Sequence, residues 1–275
     1  MYSLMENGST QKLTTQNTET IEVAQQASAG MFAKNESGQA NGQSEVLSSG
    51  LIKMTGINSV GIIGKKSKIT NSGTGAKGIE ISGADSAGIL ATLRSKVINS
   101  GRIEGSTGAS LVGISVDKTS TVTNSGTITG NKANAVGMAV NDSKATNAAT
   151  GKIILNGLTS TGMFGAVGST IINEGKIEGT QGNAVGMAVD ASTVTNKKTI
   201  SLAGKNSTGL FGKNNSTLIN EASGTITLGE ESSVGIYSDA NTVLAINKGI
   251  INAIKKSSAG MLGKKGNIEN TGTIT

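Results

Sequence analysis

A period of about 25 residues constrains this chain more than any other feature. A glycine followed by a large apolar residue recurs at Gly30, Gly61, Gly88, Gly113, Gly137, Gly162, Gly186, Gly209, Gly235 and Gly260. An asparagine follows most of them ten to twelve residues later, at Asn71, Asn99, Asn124, Asn147, Asn173, Asn196, Asn220, Asn247 and Asn270. A fixed period of this order marks a stacked repeat architecture. The unit is too short for a helix pair or a propeller blade and fits one coil of a parallel β-helix.

Within a repeat, three short segments alternate apolar with small or polar residues, the period-two pattern of a half-buried strand. In the repeat around Gly186 they are Ala184 to Val189, Ser192 to Asn196 and Thr199 to Leu202. The residue after each glycine is always large and apolar (Met31, Ile62, Ile89, Ile114, Met138, Met163, Met187, Leu210, Ile236 and Met261), so this column points into a core. Two residues before the asparagine stand Ile69, Val97, Val122, Ala145, Ile171, Val194, Leu218, Ala245 and Ile268. The third segment adds Ile103, Ile128, Ile153, Ile177, Ile200 and Ile226. Alternation then puts each asparagine on the inward face. Buried amides need partners, so the nine asparagines are expected to form a structural ladder from coil to coil. The expected fold is all-β: a right-handed single-stranded parallel β-helix, a solenoid of about ten coils and roughly 50 Å long at about 4.8 Å per coil.

Residues 1–275 read as one elongated repeat domain, because each coil of a solenoid contacts only its neighbours. The chain has no proline, as a fold with both edges of every inner strand paired requires. Its 40 glycines suit corners with positive φ. Met1-Tyr2-Ser3 resembles Ile236-Tyr237-Ser238, so the chain reads as starting inside a first strand. The expectation is a stretch of a longer protein. A short protein with its own start is the alternative.

Cysteine and histidine are both absent. That removes thiol nucleophiles, disulfides, the commonest general base and the commonest transition-metal ligand. No phosphate-binding loop opens a helix and no calcium-binding nonapeptide is present, so no cofactor or metal is expected. Among the carboxylates, Glu104 and Glu178 align best. They lie three coils apart, roughly 14 Å, beyond the spacing of paired glycosidase carboxylates. The formal net charge is +6. Four residues after the glycine stand Lys34, Lys65, Asp117, Asn141, Asp190, Lys213, Asp239 and Lys264. These mixed signs point to local pairing at a solvated corner, so no nucleic-acid partner is expected.

The aromatics share one register. Phe32, Phe164, Phe211 and Tyr237 stand two residues after a motif glycine, with Ile63, Leu90 and Leu262 in the same column. Because the preceding residue points inward, alternation points this column outward as a candidate contact stripe. The competing reading is that the corner bends and tucks the rings against the core edge. Gly30 and Gly61 are further apart than the other glycines, and the excess is assigned to an inserted loop over residues 34–44. Insertions in solenoids often carry binding.

The turns Asn124-Ser125-Gly126-Thr127-Ile128 and Asn173-Glu174-Gly175-Lys176-Ile177, with starts such as Ser258-Ala259-Gly260-Met261, resemble the repetitive passenger regions of large Gram-negative autotransporter adhesins. That resemblance implies type V secretion, display at the bacterial cell surface, outer membrane or extracellular space, and further β-helix coils leading to a C-terminal barrel. It also implies adhesion to a host or bacterial cell-surface protein or glycan, without catalysis. Two other readings stay open: a β-helical polysaccharide lyase or hydrolase, and a pure spacer.

Overall fold

Each repeat forms three short strands, and equivalent strands of successive repeats pair in parallel. The coordinates are a computed structural model that describes residues 1–5, 12–36, 44–239 and 243–275. The described residues contain three parallel sheets of eleven strands each and no helix. In the repeat around Gly186 the strands are Val185–Asp190, Thr193–Asn196 and Thr199–Leu202. They belong in turn to the first, second and third sheets, so the chain winds once around the core and returns one strand further along. The result is a parallel β-solenoid. Its eleven coils exceed the ten motif glycines because Tyr2–Met5 already pairs with Ala29–Asn35, with Tyr2 opposite Phe32.

The three inward columns meet along the axis. Met138, Ala145 and Ile153 are at most 1% exposed, and the equivalent residues of the coils from Met31 to Ile251 are likewise buried. Two positions depart from the expected core. Ile268 is 42% exposed and Met261 only partly buried, because the last coil is covered from one side only.

The motif glycine is required for a reason other than the one the composition implies. Among the described glycines only Gly75, Gly78, Gly168 and Gly266 have positive φ. The left-handed corners are occupied instead by residues such as Asn58, Asn134, Asp142 and Asn206; Asn and Asp tolerate that region best among residues with side chains. At Gly137 the constraint is close approach. A Cβ there would lie 2.5 Å from the Gly162 carbonyl oxygen and 2.6 Å from Ile153 Cγ2. The first-sheet strand presses on the third-sheet isoleucine at this point, and only a hydrogen fits.

Amide and hydroxyl ladders fix the corners. The asparagine Nδ2 of each coil donates to the Oδ1 of the next: Asn71 to Asn99 at 2.7 Å, Asn147 to Asn173 at 2.8 Å, and so on to Asn247 and Asn270 at 2.7 Å. Spare Nδ2 hydrogens reach backbone carbonyls, as from Asn147 to Gly151 at 3.3 Å. Asn71 to Asn247 are fully buried, whereas Asn270 is exposed in the last coil. Two serine ladders complete the set. Between the first and second sheets, backbone N–H of Ser67, Ser95 and Ser120 donates to the hydroxyl one coil on, at 3.0 to 3.1 Å. Between the third and first, Ser59 and Ser207 do the same at 3.0 and 3.1 Å.

Both ends of the range 34–44 belong to strands. Lys34 and Asn35 end a first-sheet strand, with Lys34 opposite Lys65, and Ser44 opens a second-sheet strand opposite Leu13. Residues 37–43 lie outside the described residues.

Two substitutions test the ladder. Asn147→Leu keeps the branched shape but leaves Asn124 Nδ2 and Asn173 Oδ1 without their amide partner, so urea unfolding should show a loss of about 1 to 3 kcal/mol. The second concerns the coil where Ser48 stands between Asn17 and Asn71. There Asn71 Oδ1 is buried without a hydrogen bond. Ser48→Asn supplies the missing donor and should raise stability by about 0.5 to 1.5 kcal/mol in the same assay.

Candidate interaction face

Pairing sets the first sheet's outward residues in straight files. Tyr2, Phe32, Ile63, Leu90 and Ser115 align in succession. Ala139, Phe164, Ala188, Phe211, Tyr237 and Leu262 continue the same file. Ser115 and Ala139 therefore divide it into two apolar patches. Phe164 is 37% and Leu262 47% exposed, while Phe32, Ile63, Leu90, Phe211 and Tyr237 are half-buried.

Neighbouring rings touch within each patch. Tyr2 stacks on Phe32 with centroids 5.1 Å apart, and Phe211 meets Tyr237 at 5.6 Å and a 45° tilt. Between Phe164 and Phe211, Ala188 is only 8% exposed. The Tyr237 hydroxyl donates to Asp239 Oδ1 at 3.1 Å. Burial, then the Asp239 carboxylate, raise the phenol above its ordinary value of 10.0, so it stays protonated and the apolar patch carries no phenolate.

A second outward file runs beside the rings and escaped the sequence reading. Val60, Ala87, Val112, Val136, Thr161 and Val185 align one after another, all half-buried. Its signal was the alanine or β-branched residue just before each motif glycine. Neither file contains a charged side chain. The outer columns of the other two sheets do, with Lys68, Lys96 and Lys144 on the second and Lys53, Glu80, Arg102 and Glu104 on the third.

The third sheet brings together acids that the sequence reading did not pair. Glu104 and Glu178 are indeed three coils apart, through Thr129 and Ile154. Glu80, however, lies directly beside Glu104 on the adjacent strand. Arg102 holds both: Nη1 pairs with Glu104, and Nη2 lies 3.9 Å from Glu80. Asn131 Nδ2 donates to Glu104 at 3.0 Å. A cation therefore sits against both carboxylates on an outer sheet face. Among the described residues no group of three or more acids could hold a metal ion.

The Lys-Asp column pairs locally, Lys213 with Asp190 at 3.1 Å and Lys264 with Asp239 at 3.5 Å. No described helix is long and apolar enough to cross a membrane, which says nothing of a β-barrel.

The family model described as BigA third pectate lyase-like domain matches residues 1–224 and, in an overlapping placement, residues 135–275. The chain belongs to this family. The overlap follows from the repeat, since a solenoid shifted by whole coils matches itself. "Pectate lyase-like" describes the β-helical fold of the BigA domain and assigns no reaction to these residues. No curated protein matches the chain, and no solved structure matches it.

One carboxylate of this BigA-type domain is deeply buried. Glu45 is 3% exposed, paired with Lys12 and, at 2.7 Å, with Lys68. Burial pushes its pKa up, but the hydrogen bonds from the two lysines outweigh it, and the carboxyl lies below its ordinary 4.5. A depressed folded-state pKa contributes stability above the unfolded value that disappears as pH falls through the folded one. Glu45→Gln should therefore cost about 1 kcal/mol at neutral pH. Its unfolding curve should converge on the parent's as pH drops below the ordinary carboxylate range.

Proposed function

We propose that this domain is a non-catalytic segment of a surface adhesin, of the autotransporter-passenger kind, with the outer face of its first sheet as the contact surface. The carrying observation is the charge-free double file of Val and ring residues beside two sheets whose outer columns are charged. Contiguous exposed apolar surface on a polar molecule marks interaction sites. The partner is a host or bacterial cell-surface protein or glycan, and the location is the bacterial surface, outer membrane or extracellular space. No cofactor enters this reading. The family match supports it with a β-helical domain of BigA.

One observation favours a second reading. Glu80 and Glu104 are acids on adjacent coils, the arrangement a polysaccharide lyase or hydrolase needs. Against it, Arg102 occupies both, and the chain has no histidine. Release of product from a neutral or acidic polysaccharide, abolished by Glu104→Gln, would establish the enzyme.

The adhesin reading is tested by Phe164→Ser combined with Phe211→Ser. Each ring is already partly covered, so full burial against a partner contributes about 1 kcal/mol or more per ring. The double variant should lose roughly tenfold or more in cell binding, while its unfolding midpoint moves little. Unchanged binding would make the segment a spacer.

A further inference from the structure

We propose that the ridge between the first and second sheets, over the coils from Val60 to Leu155, binds a linear sulfated polysaccharide. Two rows of cations run along it. On the second sheet Lys68 lies beside Lys96, and Lys144 follows across Thr121. At the corner, Lys65 and Lys66, then Arg94, then Lys118 occupy successive coils, with the Arg94 N–H donating to the Lys118 carbonyl at 2.9 Å. Arg94, Lys96, Lys118 and Lys144 are exposed.

The ridge contrasts with other parts of the surface in its pairing. Toward the C-terminal end, several lysines meet a carboxylate one coil away: Lys197 meets Glu174, Lys205 meets Glu231, Lys213 meets Asp190 and Lys248 meets Glu221. On the ridge only Lys68 has an ion pair among the described residues, and it shares Glu45 with Lys12. Other acids nearby are Glu36, already paired with Lys34, and Asp117 and Asp142 on the corner itself. Like charges directly opposite on neighbouring strands repel, and Lys68 against Lys96 is such a pair. Lys66, Arg94 and Lys118 also take left-handed φ of 50°, 62° and 51°, a conformation that Gly or Asn adopts more readily. A bound row of anions would relieve the repulsion.

The geometry favours a polysaccharide over nucleic acid. The charges repeat once per coil, about 4.8 Å, along a straight line, and an extended glycan offers anionic groups at comparable intervals. Threonine hydroxyls at Thr119 and Thr121 stand between the cations to meet sugar hydroxyls. Single-stranded nucleic acid is held largely by stacking on aromatic rings, and the ridge has none. Duplex recognition inserts a protein element into a groove, and this corner is a convex edge of a sheet.

The ridge borders the apolar face along one edge of the first sheet but shares no residue with its two files, so binding here does not rest on the adhesin reading. The test uses the whole chain and fluorescent heparin. Arg94→Ser, Lys96→Ser and Lys118→Ser together remove three exposed cations. The control, Lys176→Ser, Lys197→Ser and Lys248→Ser, removes the same charge elsewhere. The parent should bind heparin in a salt-dependent way, the ridge variant roughly tenfold or more weakly, the control about as the parent. Desulfated heparin should not bind. Lys144→Gln alone should give a smaller loss, which keeps the test valid if the triple variant folds poorly. Phe164→Ser with Phe211→Ser should leave heparin binding intact, separating this result from the adhesion assay. Absence of heparin binding at low salt, equal losses in both triple variants, or equally tight binding of single-stranded or duplex DNA would overturn the proposal.

Discussion

The structure depends on coil-to-coil registration, and the asparagine ladder does most to set it. A carboxamide is both donor and acceptor, so each asparagine can satisfy one neighbour on each side. From Asn71 to Asn247 every Nδ2 donates the same way along the axis, the last to Asn270. A slip of one residue would expose the amide and turn the isoleucine two positions earlier out of the core, because strand side chains alternate. The apolar columns alone would tolerate Ile, Val, Met or Leu in many arrangements. The buried amides would not, since a polar group left without a partner in the interior costs more than an imperfect apolar contact.

Much of this was readable in the residues, and what was not has physical causes. The period, the three strands per coil and the parallel stacking follow from pattern alone. Glycine was harder to interpret. Its permissive φ is the familiar reason for its presence, yet at Gly137 the controlling fact is a carbonyl and an isoleucine methyl on other strands, and sequence does not display such distances. The serine ladders left a trace at Ser59, Ser207 and Ser258, two residues before each glycine. Serine at a turn has many local uses, so nothing in one repeat says that its hydroxyl serves the next coil.

The outer columns show a second limit of sequence reasoning. Separations such as that of Glu104 and Glu178 depend on counting coils. The pairing of Glu80 with Glu104 depends on aligning a repeat with a longer turn, since residues 74–77 stand between Asn71-Ser72-Gly73 and its third strand. The same difficulty hid the basic ridge. A single column, the one four residues after the glycine, carries mixed signs. The ridge draws on that column, the corner after it and the first position of the second sheet. Charge that looks scattered in one file becomes contiguous when adjacent files of four coils are laid side by side.

Stacking also explains how one fold can present such different surfaces. In a solenoid the inward residues determine stability through nearest-neighbour contacts, while the outward residue at the same height is almost free to vary. Leu, Phe and Ala replace one another in the first sheet's outer file from coil to coil, without disturbing Met138 or Ile153 beneath. The apolar face, the Glu80-Arg102-Glu104 cluster and the cationic corner are therefore three separate patterns on one scaffold. Their common grain is the coil repeat, and it favours ligands that are themselves extended and repetitive. A polymer or a flat protein edge can meet several coils in register.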